Sequence, residues 1–152
     1  MFDIQIDTSD LRGLGQKLHA EVLRGVSRAV RVASESALSR ARGDAPVKNG
    51  DLRKSLKASP VKALVNAVWS TVFATAEHMR WVVEGTRPHR IEARRANALH
   101  WTAGGQKFFR RSVNHPGTSP NPFLRGAELV ADNTLTSGVD RATDEAIERV
   151  SK

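Results

Sequence analysis

The chain opens with strict alternation. Phe2, Ile4 and Ile6 are separated by polar residues, which predicts a short strand with one buried face. Thr8, Ser9 and Asp10 then offer side-chain oxygens to cap a following helix. From Leu11 the period changes. Leu11, Leu14, Leu18, Val22, Val26, Ala29, Ala33, Ala37 and Ala41 recur at spacings of three and four, the stripe of a long amphipathic helix that stops near Gly43. Gly13, Gly15 and Gly25 weaken the case for an unbroken rod, because each costs about 1 kcal/mol relative to alanine.

Residues 45–50 carry turn chemistry, strongest at Asn49-Gly50. Residues 52–58 suit a strand, and residues 65–74, rich in Val, Trp, Thr and Phe, suit a better one. A short helix is expected over 76–84, ending at Gly85. Residues 99–102 and 107–113 flank Gly104-Gly105, a hairpin signal because glycine supplies the positive φ of tight turns. The segment after it holds Pro116, Pro120 and Pro122 and predicts a stiff, ordered loop. Asn121 is placed to cap the last helix and Pro122 to start it. Phe123, Leu124, Ala127, Val130 and Ala131 form an apolar stripe there, which Leu135, Val139, Ala142, Ala146, Ile147 and Val150 continue past Gly138. Trp69, Phe73 and Trp81 are expected in the core. Phe108 and Phe109, adjacent on a strand, face opposite ways, so one should be exposed. The fold class predicted is α+β: a small antiparallel β-sheet with a long N-terminal helix and C-terminal helices packed on it.

Composition bounds what such a fold can do. With 152 residues the chain has material for one domain, 1–152, whose core needs no metal or disulfide. It has no cysteine, which excludes disulfides, thiolate zinc sites, thiol nucleophiles and thiol redox sensing. No stretch approaches the 18–20 apolar residues of a membrane span, and the early acids Asp3 and Asp7 do not fit a signal peptide. A soluble protein with no membrane role is expected.

The formal charge of +8 is unevenly spread. Residues 1–79 hold 12 basic and 8 acidic residues, residues 80–125 hold 9 and 2, and residues 126–152 hold 3 and 6. The middle of the chain is the candidate polyanion-facing region and the tail is acidic. Lys17, Arg24, Arg28 and Arg31 fall on one helix face, while Arg87, Arg90, Arg94, Arg95, Lys107, Arg110 and Arg111 gather around the hairpin. Either group could meet DNA phosphates or solvent. No base-reading motif accompanies them.

Signals for catalysis are weak. His19, His78, His89, His100 and His115 include no pair at zinc-helix spacing, although His89, His100 and His115 could converge. Only Glu84 and Glu92 lie between residues 80 and 125, and Glu84 beside Arg80 or Arg87 suggests an ion pair rather than a general acid or base. Gly13-Leu14-Gly15 lacks the rest of a dinucleotide loop, and neither a nucleophile elbow nor a phosphate loop occurs. No enzyme activity, metal or cofactor is expected.

Three segments, in order, resemble the phage head–tail joining or tail-completion (neck) proteins. Ala45-Pro46-Val47-Lys48-Asn49-Gly50-Asp51-Leu52-Arg53-Lys54-Ser55 is similar to that family's Ala-Pro-x-x-x-Gly-x-Leu-x-x-Ser. Glu84-Gly85-Thr86-Arg87-Pro88-His89 resembles its Glu-Gly-Thr-Arg-Pro-His, and His115-Pro116-Gly117-Thr118-Ser119-Pro120-Asn121-Pro122-Phe123 its His-Pro-Gly-Thr-x-Pro-x-Pro-Phe. With the long helix, the resemblance covers about residues 10–131. The chain departs from it at the short helix, where Ala76 and His78 stand where the family often has an aromatic pair.

The resemblance implies a structural virion protein of long-tailed double-stranded-DNA phages, assembled in the bacterial cytoplasm. Such proteins form a ring, usually a hexamer, that completes the tail tube and joins it to the head connector or stopper around the DNA channel. Subunit or partner contacts would then fall on Glu84, Gly85, Thr86, Arg87, Pro88, His89, Phe108, Phe109, His115, Pro116, Gly117, Pro120, Pro122 and Phe123. Arg24, Arg28, Arg31, Arg94, Arg95, Lys107, Arg110 and Arg111 are the candidates to face DNA. The alternatives are the tail terminator of the adjacent layer and a free, non-specific DNA-binding accessory protein.

Overall fold

The structure, a computed structural model, describes residues 9–152. The strand expected from Phe2, Ile4 and Ile6 and the cap expected at Thr8 lie outside the described residues. Helix α1 runs Ser9–Asp44, so Ser9 and Asp10 are already helical rather than caps. It is unbroken over 36 residues, about 54 Å at 1.5 Å per residue.

Of the four glycines inside it, Gly13, Gly15, Gly25 and Gly43, one has a packing reason. A Cβ added at Gly25 would stand 2.5 Å from Ala142 Cβ and 3.1 Å from Ala142 Cα. Ala142 belongs to α4 (Arg125–Val150), a single 26-residue helix that continues through Gly138. A Cβ at Gly138 would in turn meet Ala29 Cβ at 2.8 Å. The helices therefore cross antiparallel through two matching Gly-x-x-x-Ala steps, Gly25 to Ala29 and Gly138 to Ala142, each glycine opposite the other helix's alanine. The core on either side is made of small residues too: Ala29, Ala33, Ala37 and Ala41 from α1, Ala45 just after it, and Ala127, Ala142 and Ala146 from α4. Small side chains let the two backbones approach closely along the seam, and dispersion over that length compensates for the little area each methyl removes from water.

Gly13 and Gly15 have no such role, since an added Cβ at either meets nothing within 4 Å. Gly15→Ala should therefore stabilise the protein by roughly 0.5–1 kcal/mol through helix propensity alone. The urea midpoint would rise with an unchanged slope; an unchanged or lowered midpoint would mean that the position is in contact with something.

Residues 52–58, expected as a strand, divide in two. Asp51–Ser55 forms the short helix α2, and Leu56–Ala58 forms strand β1. Gly50 (φ 84°) turns the chain, and Asn49 Oδ1 accepts from the Asp51 backbone N–H at 3.4 Å, so the helix starts one residue after the Asn-Gly turn. Residues 65–74, expected as one strand, are split as well. Strands β2 (Lys62–Leu64) and β3 (Ala67–Trp69) pair around a turn at Val65-Asn66, and β4 (Val72–Ala74) pairs with β1, Leu56 opposite Ala74. The break is chemical. Pro60 has no N–H to continue the ladder, and Ser59 replaces it, its hydroxyl accepting from the Thr71 N–H at 2.9 Å while its carbonyl accepts from the Ser70 hydroxyl at 2.8 Å. This interrupted hairpin packs on α1, and Arg42 of α1 donates to the Leu56 carbonyl at 2.7 Å. Leu52 and the fully buried Leu56 add its apolar contribution to the core.

The last helix does not start at Pro122. Asn121 donates its N–H to the Val82 carbonyl at 3.0 Å instead of capping, and α4 begins at Arg125 with Leu124 in the N-cap position. The chain forms two compact units, one made of residues up to Ala76 together with Phe123–Lys152, the other of Glu77–Pro122. The class is α+β: a long N-terminal helix, small two-stranded antiparallel sheets and a C-terminal helix.

Candidate interaction surface

The unit Glu77–Pro122 is a long two-stranded arm on a short helix. Helix α3 (Met79–Glu84) ends at Gly85, one turn and a half after His78. Strand β5 (His89–Glu92) then pairs with β8 (Ser112–His115), and β6 (Leu99–Ala103) pairs with β7 (Gln106–Arg110) around Gly104-Gly105, both at positive φ. Val113, expected at the end of the hairpin's second strand, belongs to β8.

The base of the arm is closed by the residues of two of the family-like segments. Thr86 and Thr118 exchange backbone hydrogen bonds of 2.9 and 3.0 Å. Gly85 (φ 73°) and Gly117 (φ 88°) flank this bridge, and each leaves the space that the other strand's carbonyl occupies, Thr118 O and Thr86 O respectively. A Cβ at Gly85 would also stand 2.8 Å from the Pro120 nitrogen, which holds Pro120 in the same cluster. Directly above, His89 and His115 face each other across the strands with ring centroids 5.1 Å apart. His89 Nδ1 donates to the Arg87 carbonyl at 2.8 Å, because a carbonyl can only accept, whereas His115 Nδ1 accepts from the Gly117 N–H at 3.1 Å. Thus Gly85, Thr86, Arg87, His89, His115, Gly117 and Pro120 do come together, and Glu84 adjoins them in an ion pair with Arg80 at 3.0 Å. His100 does not join them; it stacks on Phe109 at 4.7 Å in the distal hairpin. Among the described residues no three His, Asp or Glu side chains are grouped to hold a metal ion.

The distal hairpin carries one aromatic pair per face. Trp101 stacks on Phe108 at 5.4 Å on one side, and His100 on Phe109 on the other. The adjacent phenylalanines do face opposite ways, and Phe109 is the outward one at 58% exposure. No residue from Glu77 to Pro122 is buried. Trp81 is 56% exposed here, and in the first hairpin Trp69 and Phe73 are about two-fifths exposed, so the three aromatics expected in the core lie at the surface. A sheet of two strands has too few neighbours to bury both faces. Phe123, expected as a contact residue, is instead core at 6% exposure, while Pro122 is exposed.

Charge separates the two groups of arginines. On α1, Arg24 pairs with Glu21 at 2.7 Å, Arg28 with Glu145 at 3.1 Å and Arg31 with Glu35 at 3.9 Å. Arg149 bridges Glu21 and Glu145 at 3.1 and 3.7 Å, so a ladder of ion pairs links α1 to the acidic α4. These are exposed pairs worth about 0.2–1 kcal/mol each, and they compensate the α1 cations expected to face DNA. In the arm, Arg90 pairs with Glu92 at 3.0 Å. Arg87, Arg94, Arg95, Lys107, Arg110 and Arg111 have no acidic partner among the described residues. Arg94 and Arg95 sit in the connection between β5 and β6, Lys107 and Arg110 on β7, and Arg111 at the junction with β8.

Sequence reasoning missed a second surface. Glu128 and Asp132, four apart on α4, rim a groove of about 310 Å³ whose apolar wall includes Val30, Ala33, Val72, Ala131 and Leu135. Their spacing beside an apolar stripe was the available signal. No helix among the described residues is long and apolar enough to cross a membrane. No family model, curated protein or solved structure matches the chain.

Proposed function

We propose that this chain is a structural subunit of a ring at the head–tail junction of a long-tailed phage, completing the tail tube and joining it to the head connector around the DNA. The supporting observation is the arm: 46 residues without one buried side chain, holding two aromatic pairs at its surface and six cations without acidic partners among the described residues. An isolated two-stranded hairpin is marginal in water, and exposed apolar surface on this scale marks a surface completed by another molecule. A cyclic ring supplies that completion through heterologous contacts, in which two different patches of the same chain meet. Six copies of a +8 chain would carry +48, a charge suited to enclosing duplex DNA without reading its sequence. The resemblance of the segments at the arm's base to neck proteins points the same way. The tail terminator of the adjacent layer would use the same features.

The unpaired cations also favour a second reading, a free DNA-binding accessory protein. Quantitative mass spectrometry of gradient-purified particles from a producing culture separates the two. About six copies per particle are expected for the ring; expression without incorporation would leave only the accessory reading. Reversing charge at Arg110 and Arg111 should impair assembly or head joining while leaving the helical unit folded. Undiminished infectivity of that variant would remove those residues from the contact.

A further inference from the structure

We infer that the arm of one copy docks into the groove between α1 and α4 of a second copy, Phe109 entering the apolar trough and Lys107 meeting Glu128 and Asp132 on its rim. This rests on the ring reading and names the two patches that a heterologous contact requires. Phe109 is 58% exposed, slightly more than Trp81, and Lys107 lies two residues away on the same strand and the same face. The groove offers the complement. Its wall is aliphatic, its volume of about 310 Å³ suits one large side chain rather than a whole strand, and both acids on its rim lack an ion pair among the described residues. Two positions apart on a strand and four apart on a helix are similar distances, roughly 6–7 Å, so one docked ring brings the ammonium within reach of either carboxylate.

The partner is a second copy because the chain carries both halves. The arm has an excess of cations that its own unit does not neutralise, and α4 has acids that its own ion pairs leave over. Joining them neutralises both, and the mismatch between patches makes the contact propagate head to tail instead of pairing like with like.

The absence of cysteine makes the test direct. Lys107→Cys and Asp132→Cys each introduce a single thiol at an exposed position, outside the core. The two purified variants are oxidised alone and as a mixture, and the products are separated without reductant. A mixed disulfide dominating over both self-linked products is expected, because only unlike patches meet. Self-linked products in collisional proportion, or no product at all, would overturn the docking. In the charge series, Lys107→Glu and Asp132→Lys should each weaken self-association about tenfold, with recovery in the double variant; additive losses in the double variant would also overturn it. Native mass spectrometry of the same samples reads the ring independently. Mixed products in open oligomers would keep the contact and reject the closed ring; a closed ring with collisional products would do the reverse.

Discussion

Gly25→Leu should be the most damaging single substitution in the helical unit. Even a methyl group at this position would stand 2.5 Å from Ala142 Cβ and 3.1 Å from its Cα, and neither atom can swing aside as a flexible side-chain end would. Accommodating leucine requires the two long helices to separate at their crossing, which breaks the close packing of the alanine seam on either side. We expect a loss of about 3 kcal/mol, the upper end of ordinary overpacking. That corresponds to a fall in Tm of roughly 6–12 °C for a chain of this length. The mechanism has its own control. Gly25→Ala should destabilise, although glycine-to-alanine changes inside helices usually stabilise, and Ala142→Gly added to it should recover part of the loss. Thermal unfolding followed by circular dichroism would decide it, and a Gly25→Leu midpoint equal to that of the parent protein would refute the crossing described here.

The second large effect is expected at the arm. Gly117→Val places a β-branched residue at φ 88°, in the left-handed region, with its Cβ against the Thr86 carbonyl and 3.0 Å from the Arg87 carbonyl carbon. The Thr86–Thr118 bridge must then open. Because no residue of the arm is buried, its two segments are otherwise held at the base only by surface bonds, the β5–β8 ladder and the Asn121 N–H to Val82 carbonyl bond among them. Hydrogen exchange should show protection lost at Thr86 and Thr118, with α1 and α4 amides unchanged. Retained protection at both threonines would show that the glycine is not what permits the bridge. On the ring reading, assembly should fail in this variant even though the helices stay folded, which separates the loss of an interaction surface from unfolding of the chain.

The long helix and the distal hairpin were legible in the sequence because both rest on local rules. A stripe repeating every three or four residues cannot lie flat on a strand, and Gly104-Gly105 supplies the positive φ of a tight turn. What escaped depends on partners distant in sequence. The α1 arginines have the pattern of a polyanion-facing face, and only the approach of α4 shows Glu145 and Arg149 completing their ladder. Trp69, Phe73 and Trp81 are core residues by type and surface residues by circumstance, the first two because a two-stranded sheet leaves a face uncovered, the third because nothing in its unit is buried around the short helix α3. The strand expected over 52–58 is present only over Leu56–Ala58, for a local reason: Asn49 and Gly50 form a turn that delivers the chain first into a helix, Asp51–Ser55. Pro122 illustrates the converse, a residue well suited to begin a helix whose neighbour Asn121 is bonded to Val82 instead. The segments at the arm's base were found by resemblance, and their paired glycines give that resemblance a physical content: without a Cβ at Gly85 and Gly117, two carbonyls can sit where side chains would be.

The lack of any buried residue between Glu77 and Pro122 has a consequence for how such a protein can change over generations. Substitutions in a core are constrained jointly, because each alters the packing of its neighbours, whereas sites without shared partners contribute independently. The residues of the arm can therefore be exchanged, its stacked aromatics in pairs and its unpaired cations singly, without drawing on the stability of the alanine-seamed helices. On the ring reading, a lineage would retune which neighbour it joins while inheriting its scaffold intact. Divergence should accordingly be slow at Gly25, Ala29, Gly138 and Ala142, and changes at Lys107 and Phe109 should be accompanied by changes at Glu128 and Asp132.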